Sequence, residues 1–223
     1  MENIINNLIL KVKLLKNNKY YRYGDTIYHK GNEWNICVKN IVRKDKFKNT
    51  ILRQYFDKCP HKNLRRPPPF IQTKNILNEL VNSMIENNND IKLPDKNEIV
   101  IHLRLGDTCG CPKGKQKNYF QIIDKLLNKF EINKISFVTA FHYDGNSNDT
   151  TFSDKSFEKN KLFLKEFLSK FLDKYQNINF DIVSNINVDH DFIYMLKSQY
   201  FISDFRRFSK LICNCRGRKS ITF

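Results

Sequence analysis

The chain has 223 residues, of which 40% are hydrophobic and 13% aromatic, which excludes a disordered or fibrous polymer and allows one large core or two small ones. Its 39 Lys and Arg against 23 Asp and Glu give a net charge of +16, which favours phosphate-bearing partners such as nucleotides, nucleic acid or an anionic membrane surface. Scattered lysines also make an ordinary solvated coat, so charge alone assigns no function.

The first stretch, Met1–Lys19, has an apolar patch at Leu8-Ile9-Leu10 followed by lysines, too short and too broken for a signal peptide or an anchor. No other stretch approaches a membrane span, so a cytoplasmic location is expected, with no role for the Asn148-Asp149-Thr150 sequon. The cysteines fall at Cys37, Cys59, Cys109, Cys111, Cys213 and Cys215, with no Cys-x-x-Cys pair among them. The two Cys-x-Cys pairs would make a thiolate metal site only if the fold joined them; reduced thiols and no bound metal are expected.

Short alternating apolar runs predict strands at Leu8–Leu15 and Trp34–Val42, and Asn49–Phe56 predicts a helical turn or two. Arg65-Arg66-Pro67-Pro68-Pro69-Phe70 is a stiff break, because proline fixes φ and lacks a backbone donor. It divides the chain into an N-terminal region, 1–66, and a main domain, 67–223. In the latter, Ile71–Glu86 places Ile76, Leu77, Leu80, Val81 and Met84 at helical spacing before the polar run Asn87-Asn88-Asn89-Asp90.

Glu98–Arg104 is a short apolar strand, and Tyr119–Phe130 an amphipathic helix with Phe120, Ile123, Leu126, Leu127 and Phe130 on one face. Lys134–Phe141 is a second strand. Phe157–Tyr175 is a long helix whose apolar stripe runs through Leu162, Phe163, Phe167, Leu168 and Phe171. Ile178–Val183 is a third strand, Asp189–Lys197 a short helix, Gln199–Ser203 a fourth strand, and a last helix begins near Arg207. Strands of this length alternating with helices predict a Rossmann-like α/β domain with a parallel sheet. Ligands of such sheets sit beyond the carboxyl ends of the strands, here His102–Asp107, Thr139–Asp144 and Ser203–Ser209.

In a strand, alternation puts His102 and Arg104 on one face and Ile101 and Leu103 on the other. A His and an Arg at the end of a buried strand need a partner, and the planar guanidinium of Arg104 suits a phosphate. Gly106 lets the backbone turn closely, and Asp107 can orient Arg104 or cap the next segment; a purely structural Arg104–Asp107 pair is the alternative. Asp189 and Asp191 open a short helix, where a carboxylate is also an ordinary cap. Phe208-Ser209 lies at the start of the last helix, where backbone N–H groups and a hydroxyl make an anion site.

His102, Arg104 and Asp107, spaced His-x-Arg-x-x-Asp at a strand end, resemble the first motif of the α-1,2-, α-1,6- and protein O-fucosyltransferases, His-x-Arg-Arg-x-Asp. Asp189–Ser203 resembles the family's acidic residue, short helix and strand, and Ser203–Ile212 its closing Phe-Ser motif. The likeness spans about Glu98 to Cys213 in the family's order; it departs at Leu105, where the family has a second Arg, and at Phe205-Arg206-Arg207, where small residues are usual.

The resemblance implies a donor-binding domain of the GT-B type with a small N-terminal region, the acceptor lobe being reduced or supplied by another chain. It implies transfer of a sugar from GDP-fucose or a related nucleotide sugar to a glycan hydroxyl, with inversion and without a metal or other cofactor; the expected cytoplasmic location is that of bacterial or virus-encoded enzymes of this kind. Arg104 would neutralise the diphosphate and Asp107 is the nearest candidate base. His102, Gly106, Asp191, Phe208 and Ser209 would bind the donor, Asp191 through the guanine ring, and His142 with Asp144 would face it from the middle loop. Two other readings compete: a basic nucleic-acid-binding protein using Arg65-Arg66, Arg206-Arg207 and Arg216–Lys219, which matches no recognisable nucleic-acid module, and a degenerate transferase fold kept for binding.

Overall fold

The computed structural model describes residues 1–15, 78, 81–82, 84–86, 88–105, 113–142, 154–185, 188–204 and 207–216. The predicted strand at Trp34–Val42, the turns at Asn49–Phe56 and the expected boundary between 66 and 67 lie outside them. In chain order the elements are α1 (Glu2–Leu10), β1 (Leu14–Leu15), β2 (Glu98–His102), α2 (Lys113–Leu127), β3 (Lys134–Val138) and β4 (Phe141–His142). They continue with α3 (Asp154–Lys174), β5 (Asn179–Val183), α4 (Val188–Lys197), β6 (Tyr200–Ile202) and α5 (Arg207–Arg216). Described residues between 78 and 86 are helical, within the helix expected over Ile71–Glu86.

Four strands form one all-parallel sheet in the order β5-β3-β2-β6. The register pairs Ile99 with Ile135 and Tyr200, Ile101 with Phe137 and Ile202, and His102 with Val138. The chain steps outward from β2 to β3 to β5, then returns across the sheet to lay β6 on the other side of β2. That reversal is the doubly wound α/β arrangement, and its switch point lies between β2 and β6.

Alternation sorts the sheet residues onto two faces. Ile99, Ile101, Leu103, Leu105, Ile135, Phe137 and Ile182 join one cluster with buried residues of α1, α2 and α3. Phe171 centres it, with ring centroids 4.5 Å from Phe120, 4.6 Å from Phe167 and 5.1 Å from Phe137. Each such ring contributes about 1.5–3 kcal/mol by leaving water, so this cluster is a main source of cohesion. The opposite face holds Glu98, Val100 and His102 and is covered by α4 and α5 through Tyr194, Ser209 and Arg216.

Three expectations need correction. Residues expected as a strand over Leu8–Leu15 instead form the end of α1, a turn and the two-residue β1. Ile5, Leu8, Ile9 and Val12 are buried at spacings of three, one and three residues, so the helical period wins over the local alternation. Leu162 does not belong to the stripe of α3: it is 60% exposed, while Leu164 takes the buried position one turn before Phe167 and Leu168. The second strand breaks at Thr139-Ala140, where the Thr139 N–H turns to the carbonyl of Val183, and β4 resumes alongside β1 and Leu105.

Residues 11–15 tie α1 into the sheet. The Lys13 N–H donates to Ser184 Oγ at 2.9 Å and its carbonyl accepts from Phe141 N–H at 3.0 Å. Lys11 Nζ meets Asp181 at 2.6 Å, and Lys92 reaches the same carboxylate at 3.4 Å.

At the amino edge, the fully buried Glu98 carboxylate accepts from Asp95 N–H at 2.9 Å, Tyr194 Oη at 2.6 Å and Lys134 Nζ at 3.1 Å. This group braces the sheet at the end opposite the carboxyl edge, and its charge is accounted for by those donors. Among the described residues no helix is long and apolar enough to cross a membrane.

Candidate functional site

The last residue of β2 and the first turn of α5 meet at the switch point. His102 ends its strand 8% exposed, and Ser209 is the third residue of α5 and fully buried. His102 Nδ1 is in hydrogen-bond contact with Ser209 Oγ, joining positions 107 residues apart. Ser209 Oγ donates to Asp204 Oδ1 at 2.5 Å, and that oxygen lies 3.2 Å from His102 Nδ1. An imidazole, a hydroxyl and a carboxylate thus form a closed triangle on the helix-α4/α5 face of the sheet.

The local sequence explains the placement. Ile202 pairs with Ile101, so the chain leaving β6 as Ser203-Asp204 passes beside His102 before α5 begins at Arg207. A carboxylate just ahead of a helix is favoured by the partial positive charge of its N-terminus. Sequence reasoning assigns Asp204 no role. The available signal is a carboxylate between a strand end and a Phe-Ser helix start, but its partner His102 is remote in sequence.

Asp191 lies on the same edge of the sheet, beyond β5. Its Oδ1 accepts from Asn185 N–H at 3.2 Å and Asn185 Nδ2 at 2.7 Å, and Oδ2 has no partner among the described residues. Burial pushes the Asp191 carboxyl up to about 7, and the two bonds from Asn185 pull it down only in part. β5 is two strand positions from β2, roughly 10 Å at about 4.8 Å per strand. Through Asn185, Asp191 lies at the carboxyl end of β5 and the His102–Ser209–Asp204 triangle at that of β2, with β3 between the two strands.

Arg104 follows two residues after His102 and is partly buried. Leu103 and Leu105 both point into the apolar cluster, so alternation carries Arg104 to the His102 face, as the sequence pattern predicts. Leu105, where the fucosyltransferase motif has a second Arg, is fully buried and bridges to Phe141. The apolar choice there is a requirement of this core.

Gly106, Asp107 and Asp144 lie outside the described residues. His142 ends β4 opposite Leu15, and Phe208 lies in the first turn of α5; the side chains of both are outside the described set. Among the described residues, no group of three or more His, Cys, Asp or Glu side chains is placed to hold a metal ion.

Arg216, the one described residue of the Arg216–Lys219 cluster considered for nucleic acid, has an internal task. Arg216 Nη1 donates to the carbonyls of Met195 at 3.1 Å, Leu196 at 2.9 Å and Ser198, and Nη2 to Gln199 O at 3.1 Å. Its guanidinium also stacks over Phe201, 5.6 Å from the ring centroid. Arg216 thereby closes the C-terminal end of α4.

A comparison of the chain with protein-family models and with curated proteins returns no match.

Proposed function

We propose that this chain is a glycosyltransferase of the fucosyltransferase type, holding a GDP-sugar across the carboxyl edge of its parallel sheet. The observation that carries the reading is the contact between His102 and Ser209 at the topological switch point. Two motifs taken from sequence as halves of one donor site meet where doubly wound folds bind nucleotides.

In this reading the domain is the donor half of a GT-B-type enzyme. Arg104 and the start of α5 take the diphosphate, whose charge grows as the bond from the anomeric carbon to phosphate breaks. Asp191, its Oδ1 held by Asn185, accepts from the N–H groups of guanine, a pattern that uracil and adenine do not reproduce. The acceptor hydroxyl attacks the opposite face of the sugar, and its proton passes to a base for which Asp107 is the motif's candidate. The resemblance implies that this proceeds without a divalent ion.

The reading is tested by incubating the protein with GDP-fucose and a panel of glycan acceptors, with and without EDTA, and measuring GDP release and glycosylated product. Acceptor-dependent GDP release that survives EDTA is the expected result. GDP-fucose that remains intact with every acceptor, while GDP itself binds, would reduce the chain to a nucleotide-binding fold without transferase activity.

A further inference from the structure

The Asp204–Ser209–His102 triangle fixes where the imidazole proton resides. A carboxylate only accepts, so the 2.5 Å contact from Ser209 Oγ to Asp204 Oδ1 uses the single proton of the hydroxyl. Ser209 Oγ therefore has none left for the ring, and its contact with His102 Nδ1 requires Nδ1 to be the donor. Asp204 Oδ1, 3.2 Å from the same nitrogen, favours that proton further.

We infer that Asp204 is a positioning residue: through Ser209 it holds the His102 proton on Nδ1 and so makes Nε2 the accepting nitrogen of the ring. This rests on the nucleotide-sugar reading for its purpose, though not for its geometry. A diphosphate has no proton to offer an accepting nitrogen at neutral pH, whereas a nucleoside offers N–H and O–H groups. His102 then reads the nucleoside and leaves the phosphates to Arg104 and the α5 N-terminus. In this division of labour Asp204 Oδ1 accepts from the Ser209 hydroxyl and lies 3.2 Å from the His102 Nδ1 that carries the proton, so the carboxylate acts on the ring rather than on the phosphates.

The test uses the full chain without any nucleotide. Long-range proton–nitrogen correlation of uniformly ¹⁵N-labelled protein reports the tautomer of each of its five histidines, and the His102 signals are identified by their loss in His102→Gln. The wild type should show His102 protonated at Nδ1 and bare at Nε2, and Asp204→Asn should move the proton largely to Nε2. Asp204→Glu should restore the wild-type pattern in part. A wild-type ring protonated only at Nε2, or an Asp204→Asn protein that folds and keeps the Nδ1 proton, would overturn the inference. If Asp204→Asn does not fold, the wild-type tautomer still decides. A GDP titration followed by the same spectra separates this inference from the functional reading. A correct tautomer in a protein blind to GDP refutes the reading alone, and a wrong tautomer in a protein that binds GDP refutes the inference alone.

Discussion

His102 Nδ1 and Ser209 Oγ, separated by 107 residues, are hydrogen-bonded at the point where the strand order reverses. Both belong to the proposed donor site, so truncating either should weaken GDP binding while leaving most of the stability intact. Removing one partner of a hydrogen bond at a buried site costs about 1–3 kcal/mol, or roughly five- to a hundredfold in Kd. Ser209→Ala and His102→Ala, measured by calorimetry beside the wild type, should both fall in that range. Unchanged affinity in both variants would place the nucleotide elsewhere.

Restoring the family's second arginine should harm the protein. Leu105 is fully buried in the cluster of α1, α2 and α3, so Leu105→Arg puts a guanidinium into an apolar interior with no partner. A loss of about 3–5 kcal/mol is expected, against about 2–5 for Leu105→Ala. Urea denaturation of the two variants checks the order.

Arg216 should behave as a structural residue. Arg216→Ala leaves the carbonyls of Met195, Leu196, Ser198 and Gln199 without their donor at the end of α4, a change expected to cost about 2–4 kcal/mol. Arg216→Lys should recover only part of this, because one ammonium cannot span several carbonyls as a planar fork does. Oligonucleotide binding, if any is seen, should not depend on Arg216.

The Asp191 carboxyl makes stability depend on pH with a definite sign. Burial raises its value from 3.8 to about 7, so between these limits the folded protein holds a proton that the unfolded chain releases. Stability from this group is present at the acid end and declines as pH rises through about 7. Asp191→Asn, which keeps the oxygen facing Asn185, should flatten that decline, which runs from about pH 4 to about 7, in thermal melts between about pH 4 and 8. The same carboxyl must ionise to accept two guanine donors, so wild-type affinity for GDP should increase through this window and that of Asp191→Asn should not.

Asp181 works in the opposite sense. Burial raises its carboxyl, but the bond and charge of Lys11, the N–H of Ile182 and the charge of Lys92 outweigh it and hold the value below normal. Its contribution is present above the ordinary carboxylate range and is lost as pH falls below it. Lys11→Met should therefore weaken the protein at about pH 7 and make little difference at about pH 2.5, read from urea midpoints.

Much of this organisation is legible in the sequence. Four strands and the helices after them follow from apolar runs and periods, because a parallel sheet buried on both sides needs continuous apolar strands such as Ile99–Ile101. The expected strand at Leu8–Leu15 fails because its three apolar neighbours carry no period of their own, and Ile5 and Val12 complete a helical face. The pairing of His102 with Ser209 is readable only as two motif halves, since no local pattern says which strand ends become neighbours. Asp204 is hidden for the same reason. Its importance comes from β6 lying beside β2, which strand order decides.

One calorimetric comparison bears most directly on the donor site. GDP titrated into the wild-type chain should bind with measurable affinity, UDP and ADP at least about tenfold more weakly, and Arg104→Ala should abolish the GDP heat while the protein stays folded. Wild-type protein that gives no GDP heat, or that binds all three nucleotides alike and equally well without the Arg104 guanidinium, would contradict the assignment of this edge as a GDP-sugar site.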